Sequence, residues 1–280
     1  MTKYKVCVDI GGTKTIFAAV DERLRLKDHV YKASPKTIKD FINLLEDNMK
    51  AFSRYSDVIN ISLAGRTDKD GRIVYCANLP LKNFNIKKMA SKYFKKVSID
   101  NDANCFAVYE IFRGALKKIR DGVILVWGTG VGGAIVSNRK ILRGMGFASE
   151  IGHMRTMSGN EEDIEHLIGG KWIEDKYGHT GLELHQMAEV GNKRALAAFE
   201  EIGKTFGLYL VSLSYMLDPQ IVVLGGSFVN SWKFIKDSVN DVIQNETIRG
   251  KLKIKVVRGK FYVIKGCYFL DEYEKIYNKL

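Results

Sequence analysis

With 280 residues, 46% of them hydrophobic and 27% charged, the chain has the composition of a globular protein with room for one large core or two moderate ones. No run approaches the roughly 20 apolar residues of a membrane-spanning helix, and the N-terminus shows no apolar stretch of the signal-peptide kind, so a membrane role is excluded and a cytoplasmic location is expected. The formal charge of +12, from 44 Lys and Arg against 32 Asp and Glu, raises nucleic acid as a partner, but the lysines are spread along the whole chain and read as a solvated surface that also attracts anionic nucleotides.

Residues 4–10 alternate at strand period, Gly11 and Gly12 supply a tight turn, and residues 13–20 run back as a second strand. A third strand is predicted over 24–31. From 38 to 55, Phe41, Leu44, Leu45, Met49 and Phe52 share one helical face. An apolar strand over 58–63 ends at the loop Ala64-Gly65-Arg66, and Asp70-Gly71 marks a turn. A helix over 86–94, a short strand over 97–100 and a helix over 103–112 follow. The opening layout then returns: a strand over 123–127, a glycine-rich turn over 128–133, a return strand over 134–137 and a third strand starting at 140–142. The later part is mostly helical, with a helix pair over 184–217. Asp218-Pro219 breaks it into a strand over 220–224, followed by Gly225-Gly226, a helix, a strand over 252–257 and a C-terminal helix. Alternating strands and helices predict an α/β fold. The repeated strand, glycine turn and strand, starting near residues 4 and 123, predicts two domains of related architecture.

Four segments carry chemistry. In Asp9-Ile10-Gly11-Gly12-Thr13-Lys14, glycines let backbone N–H groups approach an anion, while Thr13 adds a hydroxyl and Lys14 a positive charge. Asp9 at the strand end suits a hard cation such as Mg²⁺. The spacing fits neither a Walker A loop nor a dinucleotide fingerprint, and an ordinary hairpin turn fits it as well. Gly128-Thr129-Gly130-Val131-Gly132-Gly133 gives a stronger anion-loop signal, with a glycine-bent sheet corner as the plain alternative. Asp102, in Asn101-Asp102-Ala103-Asn104, fits either a base for a substrate hydroxyl or a helix cap. Glu150 and His153, three apart, fit a grip on neighbouring hydroxyls. The acids Glu161, Glu162, Asp163 and Glu165 with His166 read as solvated surface rather than a transition-metal site. Cys7, Cys76, Cys105 and Cys267 lie far apart with no C-x-x-C pair, so neither a disulfide framework nor a zinc knuckle is expected.

Taken in order, Asp9-Ile10-Gly11-Gly12-Thr13, Ala64-Gly65-Arg66, Asn78-Leu79-Pro80, Asn101-Asp102-Ala103-Asn104, the glycines of 128–133, Glu150-Ile151-Gly152-His153, Asp218-Pro219 and Leu224-Gly225-Gly226 resemble the ROK (repressor, ORF, kinase) family of the actin/hexokinase fold class. The resemblance implies a two-domain, actin-like and ribonuclease H-like fold of the hexokinase type, with a glycine-turn β-hairpin in each domain. Residues 1–113 would form the N-terminal domain, joined by a C-terminal helix at about 266–280, and residues 114–265 the C-terminal one. It also implies an ATP-dependent sugar kinase. Asp102 would be the general base. Asn101, Glu150 and His153 would hold other hydroxyls, helped by the loop at Gly65, and Glu165 matches a second sugar-binding glutamate. Gly11, Gly12, Thr13 and Lys14 would cradle the terminal phosphates of ATP, as would Thr129 and Gly130. Gly225 and Gly226 would lie against the adenosine, and Asp9 would act on Mg²⁺ directly or through water.

The sugar expected first is a hexose, glucose at O6, with N-acetylmannosamine, N-acetylglucosamine or fructose as alternatives. The implied partners are the sugar, ATP and a second copy in a homodimer, with neither nucleic acid nor membrane. One departure stands out. The family's C-x-C-G-x-x-G-C zinc loop is missing, since no cysteine lies between His153 and Glu165, so no structural zinc is expected. A sugar-sensing regulator of the same family is the competing class. It would need an N-terminal helix-turn-helix, for which a phosphate motif starting at Asp9 leaves no room.

Overall fold

The computed structural model describes residues 4–76, 78–155, 163–259 and 261–277. They fall into two compact units, Met1–Lys117 together with Lys260–Leu280, and Lys118–Gly259.

In the first unit, β1 (Tyr4–Ile10), β2 (Lys14–Asp21) and β3 (Leu26–Ala33) form an antiparallel meander. After α1 (Ile38–Phe52), β4 (Val58–Leu63) pairs parallel to β1. A small two-stranded sheet, β5 (Gly65–Thr67) with β6 (Ile73–Cys76), leads through α2 (Ile86–Ala90) to β7 (Lys96–Asn101), which pairs parallel to β4. The sheet order is β3-β2-β1-β4-β7. Alternation explains how β1 is covered on both sides. Val6, Val8 and Ile10 join Phe17 and the α1 stripe of Phe41, Leu45, Met49 and Phe52 in one core. Cys7, on the other face, is buried with Cys105 of α3 (Asp102–Phe112) and Cys267 of α9 (Tyr262–Tyr277). Helices α3 and α9 meet through Phe106 and Tyr262, 4.2 Å between ring centroids, and the stacked pair Phe112 and Phe269 at 4.8 Å.

Three expectations change here. Ala64-Gly65-Arg66 is not a loop, because Gly65 and Arg66 begin β5; a side chain on Gly65 would collide with the Tyr75 carbonyl on β6. The helix expected over 86–94 stops at Ala90, closed by the amide of Ser91. Also, α9 starts at Tyr262, ahead of the expected 266.

The second unit repeats the plan. Strands β8 (Gly122–Trp127), β9 (Val131–Ser137) and β10 (Lys140–Ile141) form an antiparallel meander; β11 (Ile221–Gly225) and β12 (Ile254–Val256) add in parallel. The order β10-β9-β8-β11-β12 is the first sheet's order again. Between β10 and β11 come a 3₁₀ turn at Ile151–His153, α4 (Ile164–Ile168), α5 (Gly170–Tyr177), α6 (Gly181–Glu189) and α7 (Lys193–Leu217). Helix α8 (Trp232–Glu246) lies between β11 and β12. The fully buried Trp127 centres the core: its ring lies 4.3 Å from those of Phe206 and Phe228, and its Nε1–H donates to the Ile168 carbonyl at 2.7 Å. The glycine-rich turn is shorter than expected. It comprises Gly128, Thr129 and Gly130, while Gly132 and Gly133 are already in β9, paired with Val126 and Leu125.

Candidate active site

In the first unit the site is made by register. Asp9 on β1 stands opposite Ser62 on β4, Ser62 opposite Asp100 on β7, and Leu63 opposite Asn101. The carboxyl ends of three parallel strands therefore bring Asp9, Ser62 and the start of α3 to one edge, where ligands bind in open α/β sheets. Asn101 is the cap of α3, and Asp102 shares in holding its first turn, its Oδ1 accepting the Ala103 amide at 2.8 Å. The Asn101 Oδ1 accepts the amides of Ala103 (2.9 Å) and Asn104 (3.4 Å), which leaves its Nδ2 as the hydrogen-bond donor. Asp102 is the first helical residue and half-buried. Buried Asn104 donates from Nδ2 to Asp100 at 2.8 Å and so braces the turn rather than the substrate side.

Asp9 is the electrostatic centre of this edge. Burial pushes its carboxyl up, the charge of Asp102 adds to that, and the Ser62 hydroxyl (2.9 Å) and Lys14 offset part of it, for a pKa of about 6. The turn beside it is tight: the Gly11 amide donates to the Lys14 carbonyl at 3.0 Å, while Thr13 and Lys14 are exposed. Sequence reasoning missed what holds it. Ser34, at the end of β3, donates its hydroxyl to the Gly11 carbonyl at 2.6 Å, and Lys36 Nζ reaches the Gly12 carbonyl at 3.3 Å. Lys36 thus puts a second cation at the turn. Gly65 has a packing reason of its own in the β5–β6 crossing.

In the second unit, the turn Gly128-Thr129-Gly130 closes with the Gly128 amide donating to the Gly130 carbonyl at 2.9 Å. The N-terminus of α5 docks on it, Gly170 donating to Gly128 at 2.9 Å and Lys171 to Thr129 at 3.2 Å. Thr129 stays exposed. Beside the turn opens a cavity of about 720 Å³, with Gly128, Thr129 and Lys171 on its lining together with Ser227, Phe228 and Asn230. That volume accommodates a nucleoside. Gly225 is buried at the end of β11, and Gly226 turns the chain with φ +96°, where a side chain would collide with the Trp127 carbonyl. Gly225 and Gly226, expected against the adenosine, are not on the lining themselves; they deliver the chain to it at Ser227.

Glu150 and His153 bound the 3₁₀ turn, with the His153 amide donating to the Glu150 carbonyl at 3.1 Å. Tyr209 of α7 donates to the Ile151 carbonyl at 3.2 Å and pins it. Glu165 turns toward the glycine loop: its Oε2 accepts the Val131 amide at 2.9 Å and fills the space a side chain on Gly130 would need. Asp163, expected as solvated surface, is buried at the N-terminus of α4, where it meets both His153 and His166. Glu161 and Glu162 lie outside the described residues, as does the middle of the shortened segment 154–164. Among the described residues no group of three or more His, Cys, Asp or Glu is placed to hold a metal ion.

The profile of the ROK family matches residues 5–262. The N-acetyl-D-glucosamine kinase of Photobacterium profundum is 28% identical over 255 residues, which cover 79% of this chain and 83% of that one. The ROK hexokinase of Thermus thermophilus superposes with a TM-score of 0.78 at 25% identity, over 95% of this chain and 97% of that one. A ROK family glucokinase from Streptomyces griseus, solved with glucose and AMPPNP, gives a TM-score of 0.79 at 23% identity over 95% and 98% of the two chains, a likeness of fold. The doubled sheet plan is the actin-like, hexokinase-type arrangement that the motifs imply. With its profile match running from the first strand to the last helix, the chain belongs to the ROK family.

Proposed function

We propose that the protein is an ATP-dependent sugar kinase whose first acceptor is an N-acetylhexosamine, N-acetylglucosamine above glucose. The observation that carries the kinase reading is the line of Asp9, Ser62 and Asn101-Asp102 along the carboxyl ends of β1, β4 and β7, next to a tight glycine turn. The choice of acceptor draws on the named activity of relatives at 28% identity over most of the chain.

In this reading Asp102, the first residue of α3, takes the proton of the attacking hydroxyl as that oxygen bonds to the terminal phosphorus of ATP and the bond from this phosphorus to ADP breaks. The Nδ2 of Asn101 and the turn bearing Glu150 and His153 orient the other hydroxyls. A carboxylate accepts from two hydroxyls at once, so such a site penalises a sugar that lacks one. Gly11, Gly12, Thr13 and Lys14, with Lys36 behind them, and Thr129 and Gly130 in the other unit, hold the phosphates. The cavity lined by Lys171, Ser227, Phe228 and Asn230 takes the nucleoside.

A magnesium ion fits Asp9. A partly desolvated carboxylate facing the charge of Asp102 gains from a divalent cation, and magnesium keeps several waters and phosphate oxygens, so one protein carboxylate suffices. Bound there, directly or through water, it would neutralise charge on the phosphates.

The test is ADP release in the presence of MgATP against N-acetylglucosamine, N-acetylmannosamine, glucose, mannose and fructose. The expected outcome is sugar-dependent release with the highest kcat/KM for N-acetylglucosamine. A preference for glucose would move the acceptor but keep the kinase. Folded protein that releases ADP with none of the sugars would overturn the reading.

A further inference from the structure

We infer that Asp163 is a positioning residue, which fixes the His153 ring with its proton on Nδ1 and its lone pair on Nε2. The inference rests on the reading of His153 as a sugar contact. It starts from an anomaly of burial. Asp163 sits in an acidic stretch, yet it is 8% exposed. Its two oxygens divide the work. Oδ1 accepts the His166 amide at 2.9 Å, as the cap of α4, and faces the His166 Nδ1 at 2.7 Å. Oδ2 faces the His153 Nδ1 at 3.2 Å. The backbone is tied at the same place, with Asp163 bridged to Arg155 and the Ile164 amide donating to the Met154 carbonyl at 3.1 Å.

An ionised carboxylate only accepts hydrogen bonds, so an imidazole nitrogen facing it must carry the proton. Burial pushes the Asp163 carboxyl up, but the hydrogen bonds from His166 and His153 more than offset it and hold it below its usual range. Neutral His153 is then the Nδ1–H tautomer, and Nε2, across the ring, is an acceptor. About half of the His153 side chain stays open, 49%, while its Nδ1 is tied to a carboxylate that is 11% exposed. A substrate hydroxyl meeting this ring finds a fixed acceptor and gives it a proton to share. Wrong-tautomer histidines lose that complementarity even when the ring stays in place.

The experiment uses the full chain, labelled with ¹⁵N. Long-range proton–nitrogen NMR at about pH 8, above the ordinary imidazole range, reads the tautomer of His153, assigned through His153→Ala. The parent should show the proton on Nδ1. Asp163→Asn keeps the cap of α4, but with its oxygen on the His166 amide it turns an N–H toward His153. The proton should move to Nε2, and the sugar KM should rise about tenfold with kcat nearly unchanged. Asp163→Ser also caps, but it is too short to reach the ring, and should give mixed tautomers. A parent with the proton on Nε2, or an Asp163→Asn protein with the parent's tautomer, would overturn the inference. If the tautomer follows Asp163 while His153→Ala leaves the sugar KM unchanged, the positioning stands and the sugar-contact reading is the one that fails.

Discussion

Asp9 and Asp102 are two carboxylates that disfavour each other's charge, and they lead to separable predictions. Asp102 starts α3, and an asparagine keeps the side-chain oxygen that accepts the Ala103 amide at 2.8 Å, so Asp102→Asn should keep the fold. It should leave the sugar and ATP KM values near those of the parent and lower kcat about 10²- to 10⁴-fold, the usual contribution of a positioned base. Steady-state kinetics beside a thermal melt checks this; near-parent turnover would remove Asp102 from the mechanism. Asp9 acts in the other direction on stability. Its folded pKa of about 6 exceeds the ordinary aspartate value of 3.8, so between these values the native state binds more protons than the unfolded one. The stabilising contribution of the protonated form is therefore full below about 4 and lost as pH rises through 6. At pH 7 the ionised Asp9 opposes folding of the ligand-free protein. Asp9→Asn should then raise the melting temperature at pH 7, make little difference at pH 4, and abolish magnesium-dependent turnover. A lower melting temperature at pH 7 would show that the carboxylate is stabilised rather than strained by its surroundings.

Helix α3 shows how one element can carry a cap and a site. Asn101 spends its oxygen on the helix, and in the proposed function its amide nitrogen donates to the sugar. Asn101→Ser retains a capping oxygen, so it should melt near the parent but raise the sugar KM, about tenfold for one lost hydrogen bond. Asn101→Ala should raise the KM as much and also lower stability by about 1 kcal/mol. Equal stability of the two variants would show that the cap is not what Asn101 contributes. The strand and helix that frame this turn were legible in the sequence, because the alternation of β7 and the apolar run of α3 are local signals. The division of labour was not, since capping depends on which side chain the backbone turns toward the open amides. The glycine turn of the second unit is shorter than its sequence suggests for a related reason. Gly132 and Gly133 look like loop residues, but their hydrogen bonds to β8 decide their state. The burial of Asp163 is not legible in the sequence, because its partner His153 lies ten residues away, across a stretch that no periodicity describes.

At the level of the whole chain, the doubling of the fold was readable as a pattern, strand, glycine turn and strand, occurring twice. The way the first unit is completed was implied only by the family resemblance, because it depends on contacts between the two ends of the sequence. Lys5 on β1 donates to Asp271 on α9 at 2.7 Å, 266 residues away, and Lys96 on β7 reaches the same carboxylate at 2.8 Å. Asn60 of β4 adds bonds to the Cys267 carbonyl (2.6 Å) and to Asp271 (3.2 Å). The Asp271 side chain is 5% exposed and that of Lys5 12%, so removing Asp271 takes from Lys5 one of its two carboxylates in a nearly dry place, leaving it Glu272 at 2.8 Å, and takes from Lys96 its carboxylate partner. Asp271→Ala should lower stability by about 3 kcal/mol, the low end for a broken buried pair, because Lys96 keeps some access to water. Burial pushes the Asp271 carboxyl up, but Lys5 and Lys96 outweigh it and hold it below its usual range. Its contribution is thus present at neutral pH and fades as pH falls below about 4. The gap between parent and variant in urea melts should be widest at pH 7 and narrow in acid. The second unit draws on none of these residues, and its core around Trp127 comes entirely from residues 118–259. Expressed alone, residues 118–259 should therefore melt cooperatively, whereas residues 1–117 without α9 should not, because Cys7, Cys105 and Phe106 would lose their cover. A cooperative melt from 1–117 alone would show that α9 fastens the first unit without being needed to form it.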